Sequence, residues 1–318
     1  MFYTQYDSSV GPLTLASDGT ALTALHFGAS SEPRTDLPLF AAAFAWLDGF
    51  FSGRDPGAAP RLVTTGTPFQ QRVWAELQKV PFGQTVSYGS LARAAGCGSA
   101  RAVGQAVHNN PVALMIPCHR VIGADGRLTG FRSGLDLKRR LLMIEESRMR
   151  LLFTLDRGDY QEGEKVFSRP SARAVVIRDG RVAMVYSRKF RHYKVPGGGI
   201  EPGESREAAL VREAREEAGL VLAPDTIRPY GFVHRIEQGD PPPIFLQDNF
   251  YYLASATTTV PQQLDGYEAE EGYTLVWADP REAIEQNLAL TNDYKRKYHT
   301  MLFREALVLE RLMAEGLL

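Results

Sequence analysis

Short runs of apolar residues separated by turn formers dominate the start of the chain. GPLTLAS (11–17) and ALTALHF (21–27) read as strands, and the apolar block at 40–51 reads as a helix. Thr67-Pro68 has the form of an N-cap followed by proline at the first helical position. In the helix that follows, Phe69, Val73, Trp74 and Leu77 fall on one face. Two short helices come next. SYGSLARAAG starts at Ser87 and stops at Gly96, and ARAVGQAVH is capped by Ser99 across the tight Gly96-Cys97-Gly98 turn. Two short helices across a glycine turn form a helix-turn-helix pattern. After IPCHRV (116–121) come a glycine-bearing loop and a charged helix, LDLKRRLLMIEE (135–146).

The pattern changes character near residues 148–152. ARAVVIRDGRVAMVYS (172–187) is two β-rich runs around Asp179-Gly180, a hairpin signal. VPGGGIEPGES (195–205) leads into a glutamate-rich helix, REAALVREAREEAGL (206–220). Strands are expected in IFLQDNFYYLASA (244–256) and YTLVWA (273–278). A long C-terminal helix follows, with a stripe of Tyr294, Tyr298, Leu302, Ala306, Leu309 and Met313. A chain of 318 residues is longer than one typical core, so two domains meeting near residue 148 are expected.

Composition narrows the class. No apolar run approaches the roughly 18 residues a membrane helix needs, and the N-terminus lacks a charged-then-apolar leader pattern. Two cysteines, Cys97 and Cys118, make neither a disulfide framework nor a cysteine-rich zinc site, so a cytoplasmic protein without membrane partners is expected. The formal charge of −1 conceals an asymmetry. Residues 61–148 carry 12 Lys and Arg against 5 Asp and Glu, whereas both flanking segments are acidic. A basic block of this kind suits a polyanion such as nucleic acid.

Cys118 stands between Pro117 and His119, and it is core filler, metal ligand or nucleophile. A lone buried cysteine is commonly filler. A neighbouring base, His119, and a carboxylate on the next helix, Glu145, are the set needed to make a thiolate. SYG (87–89), ARAVG (100–104), NPV (110–112), PCHRV (117–121) and GLDLKRRLLMIE (134–145) closely resemble the O6-alkylguanine-DNA alkyltransferases. The resemblance covers most of residues 1–148 and is strongest over 67–145.

The alkyltransferase resemblance implies irreversible transfer of an alkyl group from guanine O6 in double-stranded DNA to Cys118, without a cofactor. His119 would take the thiol proton, Glu145 would orient His119, and Tyr88 would relieve charge on the leaving guanine. A stacked guanine must be flipped out to reach such a thiol. Arg101 would fill the gap from a recognition helix whose Ala100, Ala102 and Gly104 allow close approach to a minor groove, and Asn110 would link that helix to the active site. Taken singly, Tyr88 also suits helix-start packing, Arg101 a phosphate contact and Glu145 a solvated helix end. Phe131 and Arg132-Ser133 depart from the family pattern beside the pocket and bear on alkyl size.

The span 198–220 fits Gly-x5-Glu-x7-Arg-Glu-U-x-Glu-Glu-x-Gly-U, the Nudix box, through Gly198, Gly199, Glu204, Arg212, Glu213, Glu216, Glu217 and Gly219. Glu213, Glu216 and Glu217 at i, i+3 and i+4 should share one helix face, with Leu210, Val211, Ala214 and Ala218 on the neighbouring buried face. Clustered like charges suit a hard cation, Mg2+ or Mn2+. An ordinary acidic helix paired to Arg212 and Arg215 is the alternative, and the glycine loop argues against it. The Nudix resemblance implies hydrolysis of a nucleoside diphosphate derivative, with Glu213 and Glu217 as principal ligands and Glu216 as ligand or base. Arg212 would orient a carboxylate, and Glu204 would support loop–helix packing. Glu268, Glu270 and Glu271 are candidates for a further carboxylate. Phe190, Tyr193, Phe245 and Gln247 are candidates for a base pocket or for packing.

The expected architecture is therefore α+β and multidomain. A ribonuclease-H-like subdomain (1–66), a winged-helix-like catalytic subdomain (67–148) and a Nudix α/β/α sandwich (149–318) are expected in one monomeric, bifunctional repair protein that sanitises modified nucleotides. The competing readings are a lesion-binding first half, a housekeeping Nudix substrate, and a nucleotide-sensing Nudix half.

Overall fold

A computed structural model describes residues 1–161, 164–239, 243–291 and 296–318, and of residues 296–298 the backbone alone. Tyr294 lies outside the described residues, as does the side chain of Tyr298. The chain divides into two compact units, Met1–Leu151 and Leu152–Leu318.

In the first unit the alternating runs become an antiparallel sheet of β1 (Phe2–Ser8), β2 (Gly11–Ser17) and β3 (Leu22–Phe27). It is followed by α1 (Pro38–Phe51) and α2 (Pro68–Gln78). A capping box starts α2: the Gln70 N–H donates to Thr67 Oγ1 at 3.3 Å, and the Thr67 N–H donates to Gln70 Oε1 at 2.8 Å. Val73, Trp74 and Leu77 are buried, each removal from water contributing about 1.5–3 kcal/mol. The Trp74 indole N–H reaches the Ala106 carbonyl at 2.8 Å, tying α2 to the helix-turn-helix.

Strands β4 (Val86–Ser87) and β5 (Val121–Ile122) pair in parallel, bringing the segment after IPCHRV beside the start of α3 (Tyr88–Ala94). Ser87 caps α3 and Ser99 caps α4 (Ala100–His108). The Leu25 N–H donates to Pro111 O at 2.9 Å and the Ala113 N–H to Leu25 O at 3.0 Å, so β3 anchors the run into Cys118. Helix α5 (Leu135–Ser147) buries Leu137, Leu141 and Ile144 together with Lys138 and Glu145.

The second unit is a mixed sheet. Its strands in chain order begin with β6 (Leu151–Asp156), β7 (Val166–Ser168), β8 (Ser171–Arg178) and β9 (Arg181–Ser187). After β10 (His192–Lys194) and β11 (Gly197–Gly199) comes α6 (Arg206–Ala218), then β12 (Leu220–Leu222), β13 (Arg228–Gln238), β14 (Ile244–Ala254) and β15 (Ala256–Thr259). The chain ends with α7 (Gly266–Glu271), β16 (Tyr273–Ala278), α8 (Pro280–Leu290) and α9 (Arg296–Ala314). The sheet path is β10-β9-β8-β14-β13-β6, with β11 on β8, β16 on β9 and β7 on β14, while β12 pairs with β15.

Asp179 and Gly180 both take positive φ at the β8–β9 turn, as a tight two-residue hairpin requires. Val175, Val182 and Met184 share a core with Val308, Leu309 and Leu312 of α9. Strand alternation turns Ala172, Ala174 and Val176 to the opposite face, where α6 packs. Leu302, Ala306 and Leu309 are buried as their spacing predicts, and Met313 is only half-buried because Leu312 takes the inward place. Among the described residues no helix is long and apolar enough to cross a membrane.

Candidate functional site

Cys118 opens a single turn of 3-10 helix, Cys118–Arg120, at the floor of a cavity of about 770 Å³. It is free and 8% exposed. Burial pushes its thiol pKa up, and the Asn110 side chain, the Lys138 charge and the N–H groups of residues 118 and 119 oppose that rise. Asn110 is itself fixed: its amide donates to Ile116 O at 2.8 Å and accepts from Val112 N at 3.0 Å.

His119 is fully buried, with Nε2 2.7 Å from Glu145 Oε1. The same carboxylate accepts from Arg120 Nε at 3.0 Å, Arg120 Nη2 at 2.9 Å and Gly83 N at 2.8 Å. Burial alone would raise the Glu145 pKa. The hydrogen bonds of His119 and Arg120 and the Arg120 charge outweigh it and bring the carboxyl down to about 2. An ionised carboxylate only accepts, so His119 Nε2 carries the proton and Nδ1 is the bare, acceptor nitrogen. Nδ1 is buried with no hydrogen-bond partner among the described residues. Burial lowers the His119 pKa, against the pull of Glu145, which keeps the ring neutral.

Arg120 and Lys138 were not singled out from the sequence. Both lie inside quoted motifs, and Lys138 shares the α5 face of Glu145 at i, i+7, the one signal that pointed to it. The Lys138 ammonium donates to the carbonyls of Val121 and, at 2.6 Å, of Thr129. Burial lowers its pKa to about 8 against the pull of Cys118. Lys138 thus joins the strand after Cys118 to the loop on the cavity rim.

Tyr88, Ala100, Arg101, Gly104, Asn110 and Cys118 all line the cavity, whereas Ala102 is on α4 outside its lining. The Tyr88 hydroxyl donates to Gly130 O at 3.0 Å. Phe131 and Arg132 also line the cavity, and the Phe131 ring lies 6.2 Å from Phe27. Gly130 has φ +54°, and a Cβ there would lie 2.8 Å from the Tyr88 hydroxyl. Gly130→Ala is therefore expected to displace Tyr88 and to cost about 1–2 kcal/mol in backbone strain. A thermal melt and the alkyl-transfer rate check this, and an unchanged rate would show that Tyr88 need not hold its place.

In the second unit Ser205 caps α6, and Gly219 ends it in the left-handed conformation. Arg212 gathers the Nudix residues: it donates to both oxygens of Glu204 at 2.9 Å, to Glu213 at 2.8 Å, to Glu216 at 3.2 Å and to Gly199 O at 3.0 Å. A Cβ on Gly198 would run into the Glu213 carboxylate. Glu217 is buried, accepts from Gly197 N at 2.8 Å and forms an ion pair with Lys194. Burial pushes its carboxyl pKa up, and Lys194 and Arg173 oppose the rise.

Glu213, Glu216 and Glu217 lie on α6 at the expected i, i+3 and i+4 positions, but their carboxylates are not gathered into one cluster. Among the described residues no group of three or more His, Cys, Asp or Glu side chains is gathered to hold a metal ion. Arg212 draws Glu213 and Glu216 one way, and Lys194 draws Glu217 inward. Val211 is 37% exposed, so the buried face of α6 is Leu210, Ala214 and Ala218 without it. Glu268 and Glu271 of α7 are buried and Glu270 is exposed. Glu268 accepts from the Tyr267 hydroxyl at 3.1 Å, and both Glu268 and Glu217 bear on Tyr267. Tyr193 belongs to the core, Phe190 stacks on His192, and Phe245 and Gln247 lie on β14 near Arg235 and Arg304.

The chain therefore combines an α+β methyltransferase of the methylguanine-repair class with a Nudix domain. Residues 1–56 match the 6-O-methylguanine DNA methyltransferase ribonuclease-like domain, residues 68–147 its DNA binding domain, and residues 168–301 the NUDIX domain. Methylated-DNA–protein-cysteine methyltransferase of Mycobacterium tuberculosis is 46% identical over 153 residues, which are 46% of this chain and 93% of that protein. The protein of the same name from Methanosarcina acetivorans is 39% identical over 156 residues, 46% of this chain and 99% of that one. A crystal structure of Mycobacterium tuberculosis OGT in complex with DNA matches at 44% identity and a TM-score of 0.44, over 47% of this chain and 96% of that chain. The chain belongs to the methylated-DNA–protein-cysteine methyltransferase family and carries a Nudix domain after it.

Proposed function

We propose that the protein removes an alkyl group from O6-alkylguanine in double-stranded DNA by a single, irreversible transfer to Cys118. Residues 1–66 would serve as the supporting subdomain, 67–148 as the DNA-binding and catalytic subdomain, and 149–318 as a separate hydrolase. The observation that carries the reading is the His119 tautomer: Glu145 accepts the Nε2–H hydrogen bond, leaving Nδ1 as a buried, unpartnered base on the residue next to Cys118. The Cys118 proton passes to Nδ1 through a water, and the sulfur attacks the alkyl carbon. The carbon–O6 bond breaks, and its electron pair stays on the guanine. Tyr88 turns its hydroxyl from Gly130 O to the anionic base, a stronger acceptor.

The flipped base is replaced in the stack by Arg101, which is exposed on α4 at the cavity rim. Small residues at 100, 102 and 104 let α4 approach a minor groove, where little sequence is read. Mass spectrometry after incubation with O6-methylguanine duplex DNA tests the reaction. One methyl on the Cys118 peptide is expected, and an unmodified peptide after exhaustive incubation excludes repair in favour of lesion binding. Arg101→Ala is expected to slow transfer from duplex DNA by about tenfold or more, and to slow transfer from alkylated free guanine less. Equal losses on the two substrates would remove Arg101 from base flipping.

For the second unit we propose a hydrolase acting on a nucleoside diphosphate derivative, with modified nucleotides as the substrate class. By chemistry the donor set suits a hard divalent cation: Glu213, Glu216 and Glu217 offer carboxylate oxygens, which would exchange their present partners, Arg212 and Lys194, for the ion. Mg2+ or Mn2+ bound there would neutralise phosphate oxygens and activate water. Arg212 orients Glu213 and Glu216, and Glu204 holds Arg212. Glu268 and Glu271 are both buried, and each shares a tyrosine neighbour with Glu217, Tyr267 and Tyr273 respectively, so either can serve as the further carboxylate. A panel of modified dNTPs, NADH, ADP-ribose and dinucleoside polyphosphates tests the reading, and turnover confined to housekeeping substrates would end the sanitising role.

A further inference from the structure

The face of the second sheet that carries α9 is apolar at one end and densely charged at the other. Val175, Val233 and Tyr251 pack with Val308, Leu309 and Leu312. One or two turns earlier in α9 the same face holds three buried guanidinium groups, Arg173 of β8, Arg235 of β13 and Arg304 of α9, the last only 1% exposed. Arg304 donates to Asn249 Oδ1 at 2.5 Å and Gln247 Oε1 at 3.3 Å and pairs with Glu305. Arg235 pairs with Glu237, whose other oxygen accepts from Thr300 at 2.5 Å. Arg173 donates to Val195 O at 3.1 Å and Gly197 O at 2.8 Å, and has no carboxylate partner among the described residues.

Together with the adjoining Lys194–Glu217 pair, whose carboxylate also feels the Arg173 charge, four cations face three carboxylates, away from water. Two charged donors are left over: Nε of Arg173 and Nε of Arg235 are buried with no hydrogen-bond partner among the described residues. Buried charge without compensation is costly, and leftover N–H donors on planar guanidinium forks match the oxygens of a phosphate. The cluster also adjoins the Nudix carboxylates. Gly197 donates its N–H to Glu217 and offers its carbonyl to Arg173, so one residue separates the two. At its outer end the Arg235 guanidinium lies 5.3 Å over the Phe245 ring, which contacts Phe167, 54% exposed. An aromatic base stacks on such a surface.

We propose that Arg173, Arg235 and Arg304 form an anion site that receives a phosphate group, carried by a nucleotide whose base stacks at Phe245 and Phe167. The inference rests on the hydrolase reading and specifies how its substrate is held. It makes the site selective for substrates with a phosphate beside the scissile linkage, and against uncharged groups at that place.

Thermal unfolding and calorimetric titration of the full-length protein in EDTA test it, with inorganic phosphate, AMP and adenosine as probes. EDTA removes any binding through divalent cations. Saturable binding of phosphate and AMP is expected, with AMP about tenfold the tighter, adenosine ineffective, and sodium chloride at matched ionic strength giving no shift. Inorganic phosphate binding as tightly as AMP would keep the anion site and assign it to free phosphate. Arg173→Gln is expected to weaken binding about tenfold or more, and Arg173→Lys, which keeps the charge without the fork, serves if that variant does not fold. No oxyanion-specific binding by the native protein, or undiminished binding by the variant, overturns the site. Turnover of the nucleotide panel with Mg2+ is measured on the same protein. Turnover without phosphate binding removes the anion site alone, and phosphate binding without turnover removes the hydrolase reading alone.

Discussion

Glu145→Gln is expected to slow alkyl transfer by about 100-fold or more and to remove about 3–5 kcal/mol of stability. Every partner of this carboxylate is a donor: His119 Nε2, the Arg120 fork and the Gly83 N–H. A glutamine offers one oxygen and one NH2 group. Whichever way it is turned, two donors face each other in a buried site. If the NH2 group faces His119, the ring must take the other tautomer, and Nδ1 then carries a proton and cannot accept one from Cys118. If it faces Gly83, Arg120 keeps its charge without a counter-ion. Single-turnover kinetics on O6-methylguanine duplex DNA measure the first effect. A folded variant transferring at the native rate would remove His119 from the role of base.

The same carboxylate predicts how the first unit responds to acid. Its folded pKa of about 2 lies below the ordinary 4.5. A depressed carboxylate adds stability that is complete above about pH 4.5 and is lost as pH falls towards 2. That gap corresponds to about 3 kcal/mol. His119, whose pKa is also lowered, acts in the same direction on acidification. Denaturant midpoints of native protein and Glu145→Gln between pH 6 and pH 2 should therefore converge, and parallel curves would show that Glu145 is not held ionised by His119 and Arg120.

Local signals were legible in the sequence and non-local pairings were not. The caps at Thr67, Ser87 and Ser99 are contacts three residues along the chain, and the turn at Asp179-Gly180 is fixed by its own two residues. Cys118, His119 and Glu145 were found through a motif and a helical position. Arg120 and Lys138 read as members of a basic, solvated block, yet they are buried because Glu145 and the carbonyls of Val121 and Thr129 receive them. Nothing in the spacing announces such partners 9 to 25 residues away. In the second unit helical periodicity put three glutamates together, but it takes no account of the cations that answer them. Lys194, 23 residues before Glu217, pairs with it, while Arg212 pairs with Glu213 and Glu216. Arg173, Arg235 and Arg304 come from two strands and a helix and meet only when the sheet forms.

Glu217→Gln is expected to reduce metal-dependent hydrolysis by about 100-fold or more, since each 1.4 kcal/mol lost from phosphate neutralisation is a factor of ten in rate. Two properties of this side chain set it apart from Glu213 and Glu216. It is buried, so removing its charge is not screened by solvent, and its oxygens are held by Lys194 and the Gly197 N–H. A glutamine keeps the shape but turns an NH2 group towards one of these donors and leaves the Lys194 ammonium inside without an anion. Loss of about 3–5 kcal/mol of stability in the second unit should accompany the loss of rate. Alkyl transfer to Cys118, measured on the same sample, reports whether the chain is otherwise sound. Glu216→Gln, on a more exposed side chain that shares Arg212, should cost rate with little stability. Mg2+-dependent turnover that persists in Glu217→Gln would move the hydrolytic centre away from α6, whereas turnover lost with alkyl transfer intact ties it to the buried carboxylate between Lys194 and Gly197.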